Sequence, residues 1–185
     1  MSEMTTRIRV LGIVGSPRKG GNTETLVDAV LAGAEEAGAA TEKVLLRDRS
    51  AELTAKPGDR PVPGLRRLPA DRACRRTTCR PSWVLGTPVY WWGPTAQFKA
   101  FLDRWYGSDR KAVFPGKRVI LTIPFEDTTA AAPRHAVGIL TESLNYVGAE
   151  VVTTVLAPGV HRRGEVRERM DLMAAAWNAG RDNDK

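Results

Sequence analysis

Cysteine and histidine are nearly missing from this chain of 185 residues, which has two of each. Cys74 and Cys79 are too few for a disulfide framework. Spaced C-x-x-x-x-C, they also fall short of the four thiolates that an iron–sulfur cluster ordinarily takes, and they read as two surface thiols. His135 and His161 have no companion His, Cys or acid at ligand spacing, so no metal site is expected. His135 is expected to face solvent or cap a helix, and His161 to sit in a polar loop. No apolar run approaches the ~20 residues of a membrane span, and the N-terminus lacks the apolar stretch of a signal peptide. These absences point to a cytoplasmic protein with no membrane partner. Two nucleotide signatures are missing as well. Gly15 and Gly20 have P-loop spacing, but no Lys-Ser/Thr follows, and no G-x-G-x-x-G occurs there.

Acidic residues are scarce in one segment only. The net charge of +7 first suggests nucleic acid. Between Pro57 and Ser82, however, seven arginines (Arg60, Arg66, Arg67, Arg72, Arg75, Arg76, Arg80) meet two acids (Asp59, Asp71), a net of +5, which leaves +2 for the rest. The basicity belongs to a segment, not to the whole, and this distribution argues against a nucleic-acid partner. Five of the twelve prolines (Pro57, Pro61, Pro63, Pro69, Pro81) lie in or beside the same stretch. Over Arg47–Ser82 no helical apolar period survives, and a structureless loop of that length is unusual inside a compact domain. Three readings stay open: an ordered excursion over the active site or a dimer contact, a partly disordered basic insert, or text from a shifted reading frame.

What is present is ordinary globular material, 42% hydrophobic and 26% charged, with enough length for one domain that buries roughly 70% of its unfolded surface. The chain is organised around Gly15-Ser16-Pro17-Arg18-Lys19-Gly20-Gly21-Asn22-Thr23. The apolar run Ile8–Val14 leads in, and a helix-patterned run, Thr23–Ala37, leads out. A tight loop between a strand and a helix start is an anion site, because first-turn N–H groups lack helical partners and the dipole places roughly +0.5 charge there. Ser16, Asn22 and Thr23 add polar groups, Arg18 and Lys19 add positive charge, and Gly20 and Gly21 let the backbone bend round a ligand. A phosphate fits. A plain turn with a Thr or Asn cap is the alternative, but it requires neither Arg18-Lys19 nor paired glycines.

The remaining pattern alternates. Strands are expected at Arg7–Val14, Ala40–Leu46, Trp83–Gly86, Arg118–Ile123 and Val151–Leu156. Helices are expected at Thr23–Ala37, Ala96–Trp105, His135–Val147 and Glu165–Ala179, the last with Val166, Met170, Met173 and Trp177 along one side. This is an α/β chain with a five-stranded parallel sheet in the order 2-1-3-4-5, a flavodoxin-like three-layer sandwich. Ligands then bind outside the carboxyl ends of strands one, three and four, where the strand order reverses. The loop after strand three, Thr87-Pro88-Val89-Tyr90-Trp91-Trp92-Gly93, places aromatics where they serve binding better than folding.

The first loop resembles the phosphate loop of flavodoxin-like flavoproteins, in particular the NAD(P)H-dependent FMN reductases and their iron–sulfur flavoprotein relatives, with the pattern G-S-P-R-x-x-(G/S)-N-T. The second loop and the helix Ala96-Gln97-Phe98-Lys99-Ala100-Phe101-Leu102-Asp103-Arg104 are similar to the same family's flavin loop and following helix. The likeness covers roughly Arg7–Leu46 and Trp83–Trp177. It implies that Ser16, Arg18, Asn22 and Thr23 hold the ribityl phosphate of FMN, with Gly21 counted among the cofactor residues. It implies that Pro88, Val89, Tyr90 and Trp91 contact the isoalloxazine. Phe125 or Glu126, in the third loop, would reach the flavin's pyrimidine end, although Glu126-Asp127 could instead cap the next helix. No side chain is assigned as acid or base, because the cofactor carries the chemistry. The expected activity is transfer of electrons from NAD(P)H through FMN to a small acceptor such as a flavin, quinone, nitro or azo compound, by a homodimer. A flavin-binding electron carrier or redox sensor is the alternative, and a nucleic-acid-associated protein using the basic segment is a further one.

Overall fold

The computed structural model describes residues 9–48, 81–107 and 114–183. Most of the Arg/Pro-rich segment, with Cys74 and Cys79, lies outside the described residues. Five strands, β1 (Arg9–Val14), β2 (Ala40–Leu45), β3 (Pro81–Gly86), β4 (Arg118–Pro124) and β5 (Glu150–Ala157), form one parallel sheet in the order β2-β1-β3-β4-β5. Among the described residues four α-helices flank it: α1 (Asn22–Glu36), α2 (Ala96–Asp103), α3 (Arg134–Tyr146) and α4 (Met170–Arg181). This is the flavodoxin-like three-layer sandwich expected from the strand–helix alternation. No helix among the described residues is long and apolar enough to cross a membrane.

The central strands read as continuous apolar runs because both faces are covered. Leu11, Ile13, Trp83, Leu85, Val119, Leu121 and Ile123 pack with α2 and α3 through Phe98, Phe101, Leu140 and Leu144. Val10, Val14, Val84, Ile120, Val155 and Ala157 pack with α1 and α4 through Leu26, Val27, Val30, Leu172 and Ala176. Gly12 and Gly86 set how closely α1 lies on the sheet. A Cβ on Gly12 would stand 2.8 Å from Val27, and one on Gly86 would stand 2.6 Å from the same side chain. The first turn of α1 is thereby held over the gap between β1 and β3, where the strand order reverses.

Two expectations need correction. The final helix is not continuous from Glu165. A 3₁₀ turn (Glu165–Glu168) comes first, and Arg169, at φ −99° and ψ 84°, breaks the helical path before α4. The break rotates the apolar face: α4 buries Leu172, Ala176 and Gly180, whereas Met170 is exposed. Helix α2 likewise ends at Asp103 and tightens into a 3₁₀ turn (Arg104–Gly107) that carries the buried Trp105.

Candidate functional site

The carboxyl ends of β1, β3, β4 and β5 are tied into one rim. Gly15 N–H donates to Gly86 O at 2.7 Å, Thr87 N–H to Thr122 O at 3.2 Å, Val89 N–H to Pro124 O at 3.3 Å, and Phe125 N–H to Ala157 O at 3.0 Å. Thr95 pins the aromatic loop to the phosphate loop. Its hydroxyl donates to Gly15 O, and its N–H donates to the Thr87 hydroxyl at 3.2 Å. Val160 N–H donates to Phe125 O at 3.1 Å and brings in the segment after β5.

A cavity of about 150 Å³ opens at this rim. From the first loop it is lined by Ser16, Arg18, Gly21, Asn22 and Thr23, from the second by Pro88, Val89 and Tyr90, and from the third by Pro124, Phe125 and Glu126. Every residue assigned to the cofactor from sequence is in that wall except Trp91. Trp91 lines a neighbouring cavity of about 450 Å³ with Trp92, Asp127 and Ala132, and the two cavities share Val89, Phe125 and Glu126.

The phosphate loop fits an anion. Gly21 occupies the N-cap of α1, and no side chain caps the helix there, so its first-turn N–H groups stay available. Gly20, at φ 64°, turns the chain in a conformation that suits glycine. The Ser16 hydroxyl accepts the Arg18 N–H at 3.2 Å, and Ser16 and Thr23 are buried. Asn22 lines the cavity, yet its amide is engaged in holding the protein together. Nδ2 donates to Arg162 O at 3.0 Å, and Oδ1 accepts Val166 N–H at 3.1 Å. Its side chain latches the segment after β5 to the loop.

The aromatic loop is a tight hairpin. Tyr90 and Gly93 exchange backbone hydrogen bonds of 2.9 and 3.0 Å, and both central residues, Trp91 (φ 49°) and Trp92 (φ 61°), are left-handed. Such two-residue turns normally use Asn or Gly, so tryptophans there hold backbone strain. The strain persists where aromatic surface is displayed: Trp91 is 89% exposed.

In the third loop Phe125 is buried and Glu126 exposed. The alternative, that Glu126-Asp127 caps α3, is not met: the helix begins at Arg134 with Pro133 at its N-cap and no side-chain cap. Asp127 instead accepts the Thr129 N–H at 2.7 Å, and the Thr129 hydroxyl and N–H hold its carboxyl below the usual range. Glu126 Oε2 lies 3.0 Å from His161 Nδ1. His161 and Arg163, which also line the cavity, were not assigned from sequence. The signal available was the basic run His161-Arg162-Arg163 in the loop that follows β5, the strand beside β4.

A parallel sheet with a phosphate loop at its switch point, facing an aromatic loop across one cavity, defines a flavodoxin-like mononucleotide binder. Within that class the chain belongs to the NADPH-dependent FMN reductase family, which it matches over residues 8–160. An iron-sulfur flavoprotein of Archaeoglobus fulgidus is 31% identical over 112 residues, which are 60% of this chain and 51% of that protein. The chain spans about half the length of the archaeal iron-sulfur flavoproteins it matches. Among solved structures, an NAD(P)H:quinone oxidoreductase from Methanothermobacter marburgensis superposes with a TM-score of 0.75 at 19% identity, covering 97% of this chain and 98% of that one. An FMN-dependent NADH-azoreductase from Bacillus anthracis in complex with FMN gives 0.65 at 14% identity, covering 93% and 99%. At these identities the structural matches speak for the fold. FMN, with NAD(P)H as donor, is the cofactor that the family implies, and the uncapped helix beside a glycine-turned loop fits its phosphate.

Proposed function

We propose that this chain is an NAD(P)H-dependent oxidoreductase that holds FMN where the loops after β1, β3, β4 and β5 meet and passes electrons to a small acceptor. The observation that carries the reading is the joining, in one cavity, of an anion-binding loop with an apolar and aromatic wall. Bound FMN supplies the hydride and electron transfer. The chain's own residues bind and orient. The loop from Ser16 to Thr23 takes the phosphate, and Pro88, Val89 and Tyr90 with Phe125 lie along the ring. Backbone groups of the tied rim meet the ring's polar edge. The second cavity, between Trp91, Trp92 and Phe125, receives the nicotinamide and then the acceptor, for which quinones and azo compounds are the first candidates by analogy with the structural neighbours. A cytoplasmic homodimer is part of the reading. So is a single domain, to which residues 47–82 belong.

The test is the visible spectrum of the purified protein with added FMN, followed by NADPH and then air. Twin flavin bands that shift on binding, bleach with NADPH and return in air are expected. Bands that form without bleaching would favour an electron carrier. A spectrum identical to free FMN would sink the cofactor assignment.

A further inference from the structure

We infer that Arg163, in the turn after β5, is a second cation for the phosphate end of the cavity, which makes the site selective for a dianionic phosphomonoester. The inference rests on the FMN reading above. Several basic side chains around it are matched: Arg47 lies 3.0 Å from Glu24, Arg162 3.5 Å from Glu165, and Arg169 3.0 Å from Asp171. Lys19 and Arg167 have no carboxylate within ion-pair distance among the described residues, but neither lines the cavity. Among the described residues, neither Arg163 nor Arg18 has a carboxylate within ion-pair distance, although Glu126 and Glu165 lie nearby in the fold. Both guanidinium-bearing residues line the cavity. Arg163 lies against the phosphate loop: a Cβ built on Gly20 would stand 3.4 Å from its Nη2.

The turn that presents Arg163 is built, not loose. Glu165 accepts the N–H groups of His161 and Arg162 at 2.8 and 2.7 Å, which holds its carboxyl below the usual range. The Asn22 latch grips Arg162 and Val166 on either side of Arg163. Arg18 Nη1 donates to His161 O at 3.2 Å. The left-handed Gly164 (φ 74°) sits close to Gly20 O. Arg18 from the loop itself and Arg163 from the far end of the chain thus line one cavity, beside an uncapped helix start. Guanidinium stays charged at all working pH, and a phosphomonoester carries its second charge above a pKa of about 6. Charge-assisted bonds between them are about twice as strong as neutral ones.

The test compares FMN with riboflavin, which has the same ring and no phosphate, by flavin-fluorescence quenching on the apoprotein above the second phosphate pKa. R163Q is expected to raise the FMN Kd about tenfold and leave the riboflavin Kd unchanged. R163K should recover part of the loss, and the variant's FMN affinity should depend less on salt than the wild type's. Arg163 is exposed, so the variants keep the fold. Equal FMN affinity in R163Q and wild type overturns the inference, as does a loss shared equally by FMN and riboflavin. Wild-type protein that quenches neither flavin overturns the cofactor reading and this inference with it, whereas wild type that prefers FMN tells a failed R163Q result apart from that outcome.

Discussion

Glu24 sits in the first turn of α1, where a carboxylate meets the positive end of the helix dipole. Its side chain is 13% exposed, and it accepts the Gly20 N–H at 2.8 Å and Arg47 Nη1 at 3.0 Å, with Lys43 Nζ at 3.4 Å. Burial alone would push its carboxyl up. The Gly20 N–H and the Arg47 and Lys43 charges outweigh that and hold it below the ordinary range. A depressed folded value means the stabilisation is complete above the unfolded pKa of about 4.3 and is lost as pH falls through the lower folded value. E24Q is therefore expected to lose about 2 kcal/mol of stability at neutral pH, with the gap to wild type closing below about pH 4. Urea unfolding across the acid range measures this, and a gap that stays constant in acid would refute the assignment. That Ser16, Thr23, Val89 and Phe125 meet at one cavity was legible from their places in the loops after β1, β3 and β4. The left-handed Trp91-Trp92 pair was not, since tryptophan is a poor predictor of a turn that usually takes Asn-Gly. Nor was Asn22's second task visible, because its partners Arg162 and Val166 come from the far end of the chain.

Between elements, the tightest joint is the crossing of α1 and α4. A Cβ on Gly180 would stand 1.8 Å from Val30 O, and one on Gly33 would stand 2.0 Å from Trp177 O. Both obstacles are backbone, so neither helix can yield by turning a side chain. G180A is expected to cost about 3 kcal/mol or more, at the upper end of overpacking effects, because two helices must separate along their length. G33A should behave alike. Chemical denaturation reads the loss, and a change under about 1 kcal/mol in both variants would show that the crossing has slack. This joint was hidden in the sequence. The apolar face of α1 through Leu26, Val30, Leu31 and Ala34 could be read from its period, and those residues are buried. A close backbone approach leaves no periodic trace, and the break at Arg169 moved the face of α4 away from Met170 toward Leu172 and Ala176. The central strands β1, β3 and β4 were the easiest elements to read, because strands of a parallel sheet covered on both faces are nearly continuous apolar runs.

At the scale of the molecule, a buried sheet fixes four loops whose side chains are mostly exposed or half-buried at one rim. The sheet order could be reasoned from strand–helix alternation and placed the first three loops at the switch point. The fourth, Val160 to Arg163, was not assigned to the site, because strand order alone does not give the contact by which Val160 N–H donates to Phe125 O and folds this segment onto the rim. A ligand spanning all four loops reports on that assembly. Binding to the folded state alone stabilises it by mass action, about 2.7 kcal/mol at a concentration one hundred times Kd. For a domain of this size, FMN at that excess should raise the melting temperature by roughly 5–10 °C. Riboflavin, which forgoes the loop at Ser16 and the two arginines, should give a smaller shift at equal concentration. Hydrogen exchange under the same conditions should slow in the segments 15–23, 87–93, 124–127 and 159–166, with little change at the centre of the sheet, which is already buried without a ligand. Protection confined to the first two loops would mean that the segment after β5 stands apart from the bound cofactor. A melting temperature unmoved by saturating FMN would mean that the rim is a folding device and not a binding one.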